Sequence, residues 1–265
     1  MPVEFVLEPI VIFLSILSGM TVGFSLGLIG GGGSVLAVPL LLYVVGVRDV
    51  HSAIGTSALA VGVIAVISLV GHKRKNNVRV REGFFFALPG IGGTLLGAQL
   101  GLLTPSENLL LFFACFMAVI AFLMLRKKSS RHDIENSGKQ QTVMMSKRNV
   151  PLSGFFVGIL AGYFGIGGGF LIVPTLMYSG GLNIIESIGT SLMSVSAFGF
   201  TTATSYFAAG NVDVPIAILF VAGGVIGGLF GISLTDKIPK EILTKIFAVL
   251  LFVVSTYIVA RTLLF

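Results

Sequence analysis

Apolar residues in this chain come in long, nearly unbroken runs rather than alternating or striped patterns. Five runs fill 9–28, 35–47, 52–71, 84–103 and 108–125, and five more fill 151–164, 170–182, 186–208, 214–235 and 242–264. A helix rises about 1.5 Å per residue, so roughly 20 apolar residues cross the ~30 Å hydrocarbon core of a bilayer. Most of the runs approach or reach that length. The pattern predicts an all-α polytopic protein that crosses the lipid bilayer several times. The polar stretch 126–149, containing RKKSSRHDIENSGKQQ, reads as a solvated, flexible linker. It separates a first membrane repeat, 1–125, from a second, 150–265.

The two halves are copies. Residues 27–57 read GLIGGGGSVLAVPLLLYVVGVRDVHSAIGTS and residues 162–191 read GYFGIGGGFLIVPTLMYSGGLNIIESIGTS. With an offset of 135, Gly19, Gly23 and Gly27 align with Gly154, Gly158 and Gly162, and Pro39 aligns with Pro174. One residue is then lost. With an offset of 134, Thr56-Ser57 matches Thr190-Ser191, Asn77-Val78 matches Asn211-Val212, and Gly93 and Gly97 match Gly227 and Gly231. Glycines four apart share one helix face and let helices approach closely in lipid.

Composition agrees with a membrane setting. Charged residues make up 11% of the chain against about 25% in soluble domains, and mean hydropathy is +1.01. The start, MPVEFVLEPI, lacks a basic n-region and does not read as a cleaved signal. The single Cys115 forms no internal disulfide. The pI near 9.6 does not point to nucleic acid, because the basic residues sit where a membrane protein places them. Twelve of the 17 Lys and Arg lie at 73–81 or in the linker, and the positive-inside rule puts both regions in the cytoplasm. The counterpart of the first region, GNVDV at 210–214, has no Lys or Arg and reads as external, whereas Lys237 and Lys240 read as internal. Opposite charge bias predicts inverted-topology five-segment repeats with both termini outward, although Arg261 runs against the last point. The runs 151–164 and 170–182 are too short to cross comfortably, so glycine-broken or re-entrant helices are expected, most of all in the second repeat. Ten spans, or six spans and two re-entrant hairpins, both fit.

Two clusters could carry chemistry: Gly30, Gly31, Gly32, Gly33 and Ser34, and Gly165, Gly167, Gly168 and Gly169 around Ile166. Each sits between two apolar arms. Glycine lets backbone N–H groups turn toward a ligand, and a helix start adds unpaired N–H groups and a positive dipole end. Together these suit an anion, although a tight turn needs the same glycines. Neither cluster is a P-loop, since no Gly-Lys-Ser/Thr follows. Paired interrupted segments in corresponding halves point to a transporter's binding site. Thr56, Ser57, Thr190 and Ser191 add hydroxyls, and Ser194 and Ser196 follow Thr190-Ser191, although capping and packing explain hydroxyls equally well. No Asp, Glu, Lys, Arg or His falls in the middle of any run; Gln99 is the only strongly polar amide. This favours a small anion held by neutral donors over a cation, which calls for a membrane carboxylate. Glu186 stands where Ser52 stands in the first repeat, as a proton-coupling group or as a favourable charge at a helix start. His51 and His72 read as interfacial. No cofactor and no metal is implied.

The doubled pattern G-x-G-G-G-x-x-x-x-P-x-L, each copy followed by G-T-S, resembles the TauE/SafE family of sulfite exporters and toluene sulfonate uptake permeases. The copies are GGGGSVLAVPLL (30–41) and GIGGGFLIVPTL (165–176). The resemblance implies a prokaryotic-type permease of the inner (cytoplasmic) membrane, not an enzyme. It implies ion-driven secondary transport, with H⁺ as the candidate coupling ion, of sulfite, sulfonates or thiosulfate-like anions. The motif positions are Gly30, Gly32 to Ser34 and Pro39, with Gly165, Gly167 to Gly169 and Pro174. A channel for anions or small solutes is the alternative that the same neutral, duplicated architecture allows.

Overall fold

The structure is a computed structural model that describes residues 8–126 and 150–235, together with Phe252 and Thr256. The linker and most of the run 242–264 lie outside the described residues. Among the described residues every regular element is helical. In the first repeat α1 (Pro9–Ile29) leads through a 3₁₀ segment (Gly30–Leu36) into the short α2 (Ala37–Leu40), which continues as a π turn over Leu41–Val45. Next come α3 (Val50–Arg74), α4 (Val80–Leu103) and α5 (Ser106–Arg126). The second repeat contributes α6 (Val150–Phe164), α7 (Gly169–Gly180), α8 (Ile184–Ala208) and α9 (Val214–Leu234). Among the described residues five stretches are long and apolar enough to cross a membrane: Pro9–Val45, α3, α4, α8 and α9.

The first of these stretches is folded back on itself. At Gly30 φ is +75°, a left-handed conformation that only glycine adopts cheaply. The chain then returns along α1, so that Gly33 packs on Ser25 and Leu26. The second repeat does the same with shorter arms, and Gly168 packs on Val157 and Ala161 of α6. At 15 and 12 residues, α6 and α7 measure about 22 and 18 Å. One boundary differs from the expectation of a helix opening at 35. Winding begins at Gly30 itself, because glycines without Cβ accept the tighter 3₁₀ turn with its eclipsed side-chain positions.

The glycine stripes seat the repeats on each other, and the seats are reciprocal. Cβ atoms placed on Gly19, Gly23 and Gly27 of α1 would lie 1.9, 2.0 and 2.3 Å from the carbonyl oxygens of Phe220, Gly224 and Gly228 of α9. On Gly154, Gly158 and Gly162 of α6 they would lie 2.3, 2.2 and 2.1 Å from those of Phe86, Gly90 and Thr94 of α4. The second set is the first displaced by the repeat offset. Thus α1 of one repeat packs in parallel on α9 of the other, and α6 in parallel on α4. The equivalent helices α3 and α8 cross at Gly62 and Gly199 and run antiparallel, since Gly55 faces Asn211 while Gly189 faces Asn77.

Caps repeat as well. Asp49 accepts from Ser52 N at the start of α3, and Asn183 accepts from Glu186 N at the start of α8. Basic residues His72, Lys73 and Arg74 close α3, where they complement the negative end of its dipole. The outer surface carries Phe13, Leu17, Phe84, Leu88, Leu96, Phe156, Ile218 and Phe230, all exposed. A contiguous apolar exterior of this kind fits lipid rather than water.

Candidate functional site at the paired glycine turns

The two glycine turns touch. Ser34 Oγ donates to the carbonyl of Ile166, which sits inside the second turn, and to that of Gly31 at 2.7 Å. Gly31 N–H donates to Ser191 Oγ at 3.2 Å. Ser57 Oγ lies 3.5 Å from the Gly165 carbonyl and bonds Ile54 O at 2.9 Å. All of these groups are buried. Each turn is therefore held by the serine of the opposite repeat's Gly-Thr-Ser sequence, because the crossing of α3 and α8 brings both N-terminal halves against the turns.

Glycine is required where each turn begins. A Cβ on Gly30 would sit 2.8 Å from both Ile188 O and Ser191 Oγ, and one on Gly165 would sit 2.3 Å from Ile54 Cγ2. Ile54 and Ile188 are equivalents under the 134 offset, so both turns begin alike. Beyond these first glycines the turns diverge. Gly165, Gly167 and Gly168 all have φ between +62° and +65°, whereas in the first cluster only Gly30 is positive. The first turn is wound and the second is looped.

Thr56 and Thr190 are placed differently from the serines beside them. Thr56 Oγ1 accepts from Asp213 N at 2.8 Å, and Thr190 Oγ1 accepts from Arg79 N at 2.9 Å. These amides open α9 and α4, so the threonines pin the loop ahead of each helix to the opposite repeat. The arrangement brings together Gly30, Gly31, Ser34, Ser57, Gly165, Ile166 and Ser191, and sets Thr56 and Thr190 on the flank. Gly32 and Gly33 are buried in the first turn, Gly167 and Gly168 in the second, and Gly169 starts α7.

Three other charged or imidazole candidates, Glu186, His51 and His72, have structural partners. Glu186 completes a capping box with Asn183 and pairs with Arg79 Nε at 2.8 Å. Gln99 and Tyr178 are exposed. His51 Nε2 contacts the carbonyls of Gly101 and Thr104 at 3.2 and 3.1 Å, and His72 Nε2 contacts that of Gly27 at 2.8 Å. Among the described residues no group of three His, Cys, Asp or Glu could hold a metal ion. Sequence reasoning missed the carbonyls of Ile54, Ile166 and Ile188, which carry no side-chain signal. It also missed the amides of Arg79 and Asp213, although their spacing of 134 was available to find them.

Comparison with known proteins finds relatives of this chain along most of its length. The family described as Sulfite exporter TauE/SafE matches residues 15–258. A probable membrane transporter protein of Xylella fastidiosa is 41% identical over 253 residues, covering 95% of this chain and 96% of its own. The probable membrane transporter protein YunE of Bacillus subtilis is 27% identical, covering 94% of this chain and 96% of its own. Sulfite exporter TauE/SafE family protein 5 of Arabidopsis thaliana is 31% identical over 112 residues, which is 42% of this chain and 25% of its own. No solved structure matches.

Proposed function

The chain belongs to the sulfite exporter TauE/SafE family of membrane transporters, and from that premise we propose that it is a secondary permease for small sulfur-containing anions. Sulfite, sulfonates and thiosulfate are the proposed substrates. They cross the inner (cytoplasmic) membrane with a proton gradient as the driving force. The observation that carries this reading is the meeting of the two glycine turns through Ser34, Ile166, Gly31 and Ser191. Backbone N–H groups and hydroxyls at that junction offer an anion neutral donors without the desolvation cost of a buried cation.

Antiparallel α3 and α8, and the reciprocal seats of α1 on α9 and α6 on α4, support repeats of opposite orientation in the membrane. In that arrangement one repeat rocks against the other around a site fixed between them. Serines that bridge the repeats, Ser34, Ser57 and Ser191, would exchange their carbonyl partners for the anion as the site opens. Gly30 and Gly165 act as the hinges.

Counter-flow of labelled sulfite, thiosulfate and an organic sulfonate in proteoliposomes tests the reading. Saturable exchange that responds to an imposed pH gradient is expected. Gly32→Val or Gly167→Val should abolish it while membrane insertion persists. Unsaturable flux would instead identify a channel, and normal exchange in both variants would refute the proposed site.

A further inference from the structure

The reciprocal frame has one chemical asymmetry. On α8, Ser187, Ser191 and Ser194 occupy positions i, i+4 and i+7 and therefore share one helix face. Under the 134 offset their counterparts on α3 are Ala53, Ser57 and Ala60. All six residues are buried. The serine shared by both repeats is the one that meets a glycine turn. The two that flank it exist only in the second repeat, and neither Ser187 Oγ nor Ser194 Oγ has a hydrogen-bond partner.

This lack of partners is informative because the ordinary escape is open to neighbours. Ser191 and Ser196 on the same helix return their hydroxyls to carbonyls three residues back, at 2.8 and 2.9 Å. A buried hydroxyl left unsatisfied is destabilising, and alanine at the equivalent positions of α3 avoids that cost. Two such hydroxyls, each about one helical turn from the serine that takes Gly31 N–H, are therefore unused donors beside the turn.

We infer that the anion's path runs along this face of α8, with Ser187 and Ser194 as its donors on either side of Ser191. The inference rests on the permease reading above and extends its site along α8. A sulfur oxyanion presents several acceptor oxygens, and three hydroxyls spaced along one face pass it from one to the next without a charged side chain.

The test is sulfite uptake into proteoliposomes, with the melting temperature of each purified variant as the second readout. Ser187→Ala/Ser194→Ala is expected to raise the KM for sulfite at least tenfold while leaving the melting temperature unchanged or higher. Ser194→Thr in the Ser187 wild-type background should keep a near-normal KM. Ser68→Ala is the control. Its hydroxyl is also buried and without a partner but faces Gly228, so uptake should match wild type. A wild-type KM in the double alanine variant would overturn the inference and leave the permease reading standing. Lost uptake accompanied by a lowered melting temperature would also overturn it, since that marks a structural role. Wild-type protein that moves neither sulfite nor thiosulfate overturns both.

Discussion

Residues 30–36 and 165–169 occupy corresponding places in the two repeats, follow the same kind of helix and meet equivalent isoleucines of the opposite repeat, yet they fold differently. The first winds into a 3₁₀ segment after a single left-handed glycine, Gly30. The second loops through three left-handed glycines before α7 begins. Ser34 has Gly169 as its counterpart, so only the first turn carries a hydroxyl to reach across, and it donates to Ile166 in the second. Around these unequal turns the frame is equal to within the repeat offset: the helix seats, the threonine pins and the α3–α8 crossing all recur. Duplication preserved the parts that hold the helices together and let the parts that face each other diverge. A site at a junction between repeats can then be asymmetric while its scaffold is not.

The largest expected effects test the equal frame. Gly23→Ala and Gly158→Ala each push a methyl to about 2 Å from a backbone carbonyl of the opposite repeat, which neither helix can yield without separating. Each should cost about 3 kcal/mol, and the two should agree closely. Thermal unfolding in detergent measures both, and a large disparity would break the equivalence of the seats.

Next come the turns, where the comparison predicts inequality. Gly167 sits at φ +62°, whereas Gly32, its counterpart, has no positive φ. Gly167→Ala therefore carries a left-handed penalty of about 1–2 kcal/mol that Gly32→Ala escapes. Equal melting temperatures for the two variants would show that the turns are not built differently. Thr56→Val and Thr190→Val each remove the acceptor of a backbone amide and should cost about 1–2 kcal/mol apiece. Faster hydrogen exchange is expected at Asp213 in the first and at Arg79 in the second.

The smallest effect belongs to Glu186→Gln. Arg79 is 57% exposed, water screens the pair, and the amide retains part of the capping box, so a loss of about 0.5 kcal/mol is expected. Uptake that keeps its dependence on the pH gradient in this variant is the matching functional outcome. Loss of that dependence would return Glu186 to the coupling mechanism.

Much of this was legible in the sequence because membrane helices announce themselves by length and glycine stripes announce close packing. Gly19, Gly23 and Gly27 could be read as a smooth face, but not as a face for α9. A repeat reveals which residues are equivalent, not which ones are neighbours. The paired glycine turns were also legible, since Gly30 and Gly165 must be glycine for conformational reasons that sequence preserves. The different duties of Thr56 and Ser57 were not. Adjacent hydroxyls on a helix point about 100° apart, so one meets the turn while the other meets the loop before α9. Only the placement of the opposite repeat decides which does which.

The claim that both turns form one anion site is tested most directly at Ser34, the residue through which they touch. Sulfite binding to purified Ser34→Ala, measured by isothermal titration calorimetry beside wild type, should weaken at least tenfold while the melting temperature falls by only a few degrees. Wild-type affinity in that variant would contradict a shared site and leave the two turns as hinges alone.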